Sequence, residues 1–532
     1  MVKKKSDITK NKRTKNTDDQ ALTHIRQLAW TGQHAAAIDS ATEALENVGA
    51  GSPRPGKGRG NRAPTMMSLL DLRAESYIAI GKLDLAMKDA KAMMKMGSKV
   101  AGLKVQALNR LALVQMRTGD LKGAVKTAKS TVGARFPRPG RGDPAPTALR
   151  AESLYRLAEA QWRARHLDAA LETAQKAIDA YQELGDTSGT GRAYWVLSGV
   201  FFRSDRAEES RRASQTALEL CKQAGDSYGI GNALLQLANT DVDIAEQIQH
   251  YQQAKSAFET VGYVDRQNAV IANLANTYSY LGLYAHVRRL RRESIAQGRA
   301  MGAKIALIVG LGNLIGTETI FGEVEAARLH LRELETLVPD LGDPSLEAGL
   351  FNQRADLAFA TGDILTAIRH QKSALKLIKE SQISGEHTTL TALATYYLAA
   401  SNPAAALKAT SKATALHRAQ NFARPEGTGS QYIWWWHAQA LIANGKTKEA
   451  REALDRTYDF LLEGITNIRD AGLRRNALNK VEDNRKLLQY WVKDGAQRKL
   501  PKERLFAHLN IESNLREPFQ RLADTGLRLN AL

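Results

Sequence analysis

Glycine marks a turn at near-regular intervals along most of the chain, and small residues recur at fixed offsets on either side of it. The turn slot holds Gly32, Gly81, Gly119, Gly282, Gly322, Gly362 and Gly445, with Arg165, Asp205, Ala245 and Ser401 in the same position elsewhere. Five residues later the chain reads Ala37, Ala86, Ala124, Ala170, Ser210, His250, Val287, Ala327, Ala367, Ala406 and Ala450. Seven residues before the turn it reads Ile25, Ala74, Ala112, Ala158, Ser198, Ala238, Ala275, Ile315, Ala355, Ala394 and Ala438. Two helices approach closely only where side chains are small, so the pattern predicts helical hairpins that cross at these paired slots. An all-α chain follows.

The spacing between turns runs 40, 40, 37, 40, 40 and 39 residues from Arg165 to Ser401. A second boundary recurs within it, at Leu184-Gly185-Asp186, Ala224-Gly225-Asp226, Val261-Gly262, Met301-Gly302 and Leu341-Gly342-Asp343; glycine just past a helix end is the usual C-cap. Tyr77, Phe201, Tyr278 and Tyr397 fill an aromatic slot four residues before the turn. Over residues 19–465 this resembles the long-period tetratricopeptide class. The resemblance implies a right-handed α-solenoid of about eleven hairpins whose first helices line a concave face, and a role in binding and not in catalysis.

Two near-duplicate insertions break the period. One includes Pro53-Arg54-Pro55-Gly56-Lys57-Gly58-Arg59-Gly60 within 51–64, the other Pro137-Arg138-Pro139-Gly140-Arg141-Gly142 within 133–147. Pro and Gly argue against regular structure there, so these are expected as solvated loops or as fingers that contact anions through Arg54, Lys57, Arg59, Arg138 and Arg141. Residues 1–18 read as a basic disordered tail. Of the net charge of +19, residues 1–16, the two insertions and a basic stretch at 471–504 supply all but one. The array between them is nearly neutral, which argues against a continuous basic stripe for nucleic acid. Binding of nucleic acid or another anion through the tail and loops stays as the alternative.

Tyr458 to Val492 reads as one long amphipathic helix, Pro501 ends it, and residues 466–532 are expected as a helical linker or cap. The stretch from Ile433-Trp434-Trp435-Trp436-His437 through Leu500-Pro501-Lys502-Glu503-Arg504 to Arg516-Glu517-Pro518-Phe519-Gln520-Arg521 resembles the segment that joins a tetratricopeptide array to GAF and kinase or cyclase domains in bacterial signalling proteins. A regulatory role, with such a protein as a possible partner, is what that resemblance implies.

Catalytic motifs are imitated but not completed. Gly51 to Gly58 spells a phosphate-loop string without the Ser or Thr that would hold magnesium. Gly310, Gly312 and Gly316 mimic a dinucleotide fingerprint with the third glycine one residue late, and close helix packing is the expected reason. The histidines are scattered, carboxylates are expected on solvent faces, and no cofactor or metal is predicted. Cys221 is the only cysteine, so no intramolecular disulfide can form. The longest apolar run, Ile305 to Gly316, is too short for a membrane span, and a cytoplasmic protein is expected.

Offsets beside the small slots point to a groove. Tyr155, Trp162, Trp195 and Phe202 are candidate anchors for a peptide or small ligand, or else inter-repeat core. Arg117, Arg163 and Arg203 form a ladder suited to carboxylates, or lie in solvent. Asn239 and Asn276 share an offset from which Asn can bond an extended backbone in this family. The lysine of the family's chaperone-tail clamp has no counterpart at Asp71, Asn109, Tyr155 and Trp195. A protein or peptide of unknown identity is the expected partner.

Overall fold

The computed structural model describes residues 19–50, 59–98, 100–132, 145–204, 206–241, 243–301, 304–420, 422 and 429–509. The expected basic tail, the four loop cations Arg54, Lys57, Arg138 and Arg141, and the last helical pattern lie outside them. Helix follows helix throughout, with no strand among the described residues.

The chain divides into two compact units. The first holds Met1–Asp241, Gln249–Val270 and Met301–Ala303; the second holds Val242–Ile248, Ile271–Ala300 and Lys304–Leu532. In the first, hairpins pair α1 (19–30) with α2 (His34–Ala50), α3 (Arg59–Ala79) with α4 (Leu83–Gly97), and α5 (Ala101–Thr118) with α6 (Leu121–Val132). They continue with α7 (Ala145–Arg163) and α8 (Leu167–Glu183), α9 (Thr187–Arg203) and α10 (Ala207–Gln223), then α11 (Ser227–Thr240). Residues of α12 (Ile244–Thr260) and α13 (Val264–Tyr280) are divided between the units.

The second unit continues with α14 (Tyr284–Met301), α15 (Lys304–Ile320), α16 (Val324–Leu337), α17 (Pro344–Ala360) and α18 (Ile364–Glu380). It ends with α19 (Glu386–Ala399), α20 (Pro403–Ala419), α21 (Ser430–Ala443), α22 (Thr447–Thr466), α23 (Ala471–Asn479), α24 (Glu482–Gln497) and the single turn α25 (Lys502–Leu505). These hairpins make the chain a tetratricopeptide-like helical repeat protein. No helix among the described residues is long and apolar enough to cross a membrane.

The paired small slots are where the hairpins cross. Every residue of the first-helix slot, from Ile25 to Ala438, is buried, as is the second-helix slot from Ala37 to Ala450 except at His250. At α9 and α10 the crossing is close enough for Ser210 Oγ to donate to the Ser198 carbonyl at 2.9 Å. The turn glycines adopt positive φ, and Arg165 (φ 63) and Ser401 (φ 52) take the same left-handed conformation without being glycine.

Asp at the Gly-Asp boundaries adds a second function: Asp186 and Asp226 cap α9 and α11 by accepting from Gly189 and Gly229 N–H groups at 2.8 and 3.0 Å. One motif thus ends a helix and starts the next.

Three expectations need correction. Helix α11 stops at Thr240 and α12 has begun by Ile244, so Ala245 and His250 belong to the first turns of a helix and not to the turn and crossing slots. The two insertions are shorter than expected, because α3 already starts at Arg59 and α7 at Ala145. Proline tolerates the first turn of a helix, where amide hydrogens lack intrahelical partners; Pro146 sits there as the second residue of α7, whereas Pro64 is the sixth residue of α3 and lies beyond that turn. The long C-terminal helix is three helices, since Asp470 accepts from Leu473 N–H at 2.8 Å and starts α23 afresh.

Helix α24 sets Tyr490 against Trp435 with 5.8 Å between ring centroids and stacks Trp491 on Tyr458 at 4.0 Å, while Trp434 packs against His417 and Phe460.

Opposite substitutions test the crossing and the turn. Ala355→Leu should lower stability by about 1–3 kcal/mol through overpacking, and Ser401→Gly should raise it by about 1 kcal/mol by removing left-handed strain. Thermal unfolding followed by circular dichroism measures both, and shifts of the same sign would refute this account of the hairpin.

Candidate functional site

Within the first unit, α3, α5, α7, α9, α11 and the start of α13 turn polar side chains toward one another. The array returns on itself: the buried His34 donates through Nε2 to the Val261 carbonyl at 2.8 Å, with Nδ1 3.3 Å from Ser76 Oγ. A Cβ on Gly32 would lie 2.8 Å from the Thr260 carbonyl oxygen, so glycine serves there for close approach as well as for its turn. Side chains distant in sequence consequently meet.

Glu159 on α7 is the hub. It is fully buried, and Arg163 reaches it at 2.9 Å, Arg156 at 3.5 Å, Arg117 at 3.8 Å and Arg266 at 4.0 Å. Burial would raise its pKa, but the four guanidinium groups outweigh that and bring it down to about 2. Arg163 is itself pulled down to about 10 by burial, with Glu159 opposing.

Arg117 on α5 donates to Tyr228 Oη on α11 at 2.8 Å and lies 4.0 Å from Asp265 on α13. Farther along the same face, Arg110 pairs with Asp71 at 2.6 Å and Glu75 at 3.2 Å, and Tyr263 donates to Glu75 at 3.3 Å. Arg192 grips the capping Asp226 with two bonds of 2.5 and 2.9 Å.

Aromatic rings floor this lattice. Trp162 and Trp195 meet edge to face at 5.5 Å, Arg163 lies 5.3 Å over Trp162, and Arg266 lies 5.5 Å over Trp195. Gly199 makes room for Trp162, since a Cβ there would fall 2.3 Å from its ring.

The structure brings together five of the predicted site residues: Arg117, Tyr155, Trp162, Arg163 and Trp195. Tyr155 and Trp195 belong at once to the inter-repeat core and to this inner face. Phe202 and Arg203 do not join them; both are exposed near the end of α9, Phe202 at 41%. Asn239 is half-buried and accepts from Tyr251 Oη at 3.0 Å, whereas Asn276 is exposed on α13. Arg59 opens α3 with its side chain outside the described residues.

Sequence reasoning missed Glu159, Arg156, Tyr228 and Arg266, and the expectation that carboxylates face solvent fails for Glu159 and Asp226, both buried. The signal was present: Glu75 and Glu159 stand six residues before their turns, the offset read for Asn239 and Asn276.

The lattice leaves polar atoms without hydrogen bonds, although Arg117 Nε and Arg266 Nη2 stand 4.0 Å from Asp265 and Glu159. Trp162 Nε1, Arg117 Nε, and Arg266 Nε and Nη2 are enclosed donors, and Asp265 Oδ1, Gln115 Oε1, Gln161 Oε1 and Asn232 Oδ1 are enclosed acceptors. No group of three potential metal ligands occurs among the described residues.

No known family profile matches the sequence, and no curated protein matches it. Among solved structures, the chain is similar to a Rap protein complexed with competence and sporulation factor, at 13% identity and a TM-score of 0.44, over 69% of this chain and 98% of that one. It is also similar to a signal transduction ATPase with a tetratricopeptide repeat sensor from Pyrococcus horikoshii, at 14% identity and a TM-score of 0.42, over 65% of this chain and 53% of that one. Yeast Tom70 aligns at 13% identity and a TM-score of 0.32, over 91% of this chain and 99% of Tom70.

Because the folded Glu159 titrates below the unfolded value of about 4.5, its stabilisation is complete above that pH and is lost as pH falls toward about 2. Acid unfolding of the first unit, followed by hydrogen exchange of α7, should therefore begin below about pH 4.5. Glu159→Gln should remove this acid limb and destabilise at neutral pH by about 3 kcal/mol or more, since guanidinium groups lose their counter-charge. An unchanged acid profile in the variant would exclude Glu159 as the hub.

Proposed function

We propose that the chain is a non-catalytic binding scaffold that takes up an extended segment of a protein partner along the inner face of the first unit. The observation that carries this reading is the mixture of enclosed donors and acceptors without hydrogen bonds on the helices that carry the two tryptophans and those facing them. An enclosed polar atom without a partner is destabilising by about 1–3 kcal/mol. A peptide backbone alternates N–H and C=O groups and satisfies both kinds, with the Asp265 and Gln161 oxygens accepting and the Trp162 and Arg266 nitrogens donating. A phosphate backbone offers acceptors alone and would meet the carboxylates of Glu75, Glu159 and Asp265.

The face is closed in the unbound chain, because Arg117 bridges to Tyr228 and Asp265. Binding therefore exchanges those bonds for bonds to the segment, which favours a partner with acidic side chains that can take over the arginines. The resemblance of the C-terminal stretch to signalling linkers supports a regulatory setting for such binding, with a GAF-containing kinase or cyclase as the partner class.

Selection from a random peptide array with the purified chain tests the reading. Acidic peptides carrying an apolar anchor should be enriched, and the Trp162→Ala/Trp195→Ala variant should bind them at least about tenfold more weakly while remaining helical. Retained affinity in that variant, or no enrichment by the wild-type chain, would remove the inner face as the recognition surface.

A further inference from the structure

Arg291, on α14 in the second unit, differs from the arginines around Glu159. It has no carboxylate partner among the described residues, and burial alone pulls its pKa down to about 10. Its Nη1 donates to the Asn313 carbonyl and the Thr317 hydroxyl, its Nε is enclosed without an acceptor, and its Nη2 has no described partner. An unpaired guanidinium held partly out of water is destabilising unless something supplies the missing charge.

The space beside it is open. Arg291 borders a cavity of about 160 Å³ whose floor is α15 at Gly312 and Gly316, and whose rim carries Ile320 and Phe321. Close helix packing, the reason expected for the glycine run, holds at Gly310, where a Cβ would lie 3.0 Å from Ile295. It fails at the other two: a Cβ on Gly312 would meet nothing within 4 Å, and one on Gly316 only Gln353 Oε1 at 3.8 Å. A glycine in a helix interior is less stable than alanine by about 1 kcal/mol, and here its effect is to leave the cavity floor bare.

The lining selects the ligand. It contains one cation, hydroxyl donors from Ser279 and Tyr284, the Asn313 and Gln353 amides, and no acid, while the Thr317 hydroxyl already donates to the Asn313 carbonyl. The neighbouring Arg288 is occupied, paired with Glu323 at 2.8 Å and lying 5.0 Å over Phe321. A single available guanidinium matches a monoanion better than a phosphate dianion. Ile320 is 68% exposed and Phe321 42% exposed, so the rim offers apolar surface to the body of the same ligand. The volume lies below the roughly 300–1,000 Å³ of sites for drug-sized molecules.

We propose that this cavity binds a small organic monocarboxylate, its carboxylate against Arg291 and its apolar body against Ile320 and Phe321. The carboxylate could belong to a free acid or to the end of a peptide. This site shares no residue with the inner face of the first unit, so its failure and the failure of the scaffold reading are distinguishable.

Isothermal titration of the full chain with acetate, isobutyrate and phenylacetate tests it, with phenylacetamide and inorganic phosphate as controls. At least one acid should saturate one site, and affinity should rise with the apolar body. The amide and phosphate should bind at least about tenfold more weakly than phenylacetate.

Arg291→Gln and Gly312→Leu should each weaken phenylacetate at least about tenfold; the second keeps Arg291 and has free space for its side chain, so it decides the matter if the first fails to fold. An acetyl-Gly-Gly-Phe peptide with a free terminus that binds more tightly than phenylacetate would identify a chain end as the source, and weaker binding would identify a free acid. No saturation by any of the three acids, phosphate binding equal to phenylacetate, or full affinity in folded Gly312→Leu would overturn the proposal.

Discussion

Close crossing of two helices at paired small residues is the constraint from which the rest of the structure follows. Where Ser198 meets Ser210, or Ala158 meets its partner helix near Ala170, the backbones approach because neither side chain intervenes. Once a hairpin is fixed at that point, every other residue of its first helix has a determined direction. On α3 and α7 the residue just after the small slot, Glu75 and Glu159, reaches the inner face. Repetition of one crossing thus repeats one set of directions, and in the first unit it delivers Glu75, Arg117, Glu159 and Tyr228 to a common interior.

The hairpins and their period were legible because they depend on local geometry: a left-handed turn, a cap and a tiny side chain each need particular residue types at particular spacings. The two non-glycine turns at Arg165 and Ser401 were found for the same reason, since flanking small slots kept the phase. Phase was lost at Ala245, where α11 ends early and the next helix starts before the expected turn. There Ala238 still matches the slot on one side, and nothing local shows that α11 has 14 residues where α9 and α13 have 17.

The site was legible only in part. Offsets placed Tyr155, Trp162, Trp195, Arg117 and Arg163 on one face, where they do meet, because direction follows from phase. They did not reveal that Arg117 meets Tyr228 and Asp265, because which hairpins face each other across a unit is set by small angles accumulated over several repeats. Glu159 was missed for a different reason. A carboxylate on a helix is usually solvated, and Glu159 departs from that rule because its offset turns it inward among arginines.

Glu159 and Arg291 show two outcomes of one electrostatic demand. Removing a charge from water is unfavourable by several kcal/mol, and it is sustained only where an opposite charge or a set of dipoles replaces the lost hydration. Glu159 satisfies the demand within the chain, surrounded by Arg163, Arg156, Arg117 and Arg266, so its charge is stabilised in the unbound protein. Arg291 does not, for the Asn313 carbonyl and Thr317 hydroxyl supply dipoles but no counter-charge. A ligand at Glu159 must compete with contacts already made, and its affinity is reduced by the free energy of breaking them. At Arg291 no ion pair has to be broken, so a small acid forgoes less of its interaction energy. The pre-paired face is therefore suited to discrimination among long partners that can replace many bonds at once, and the unpaired arginine to a ligand of few atoms.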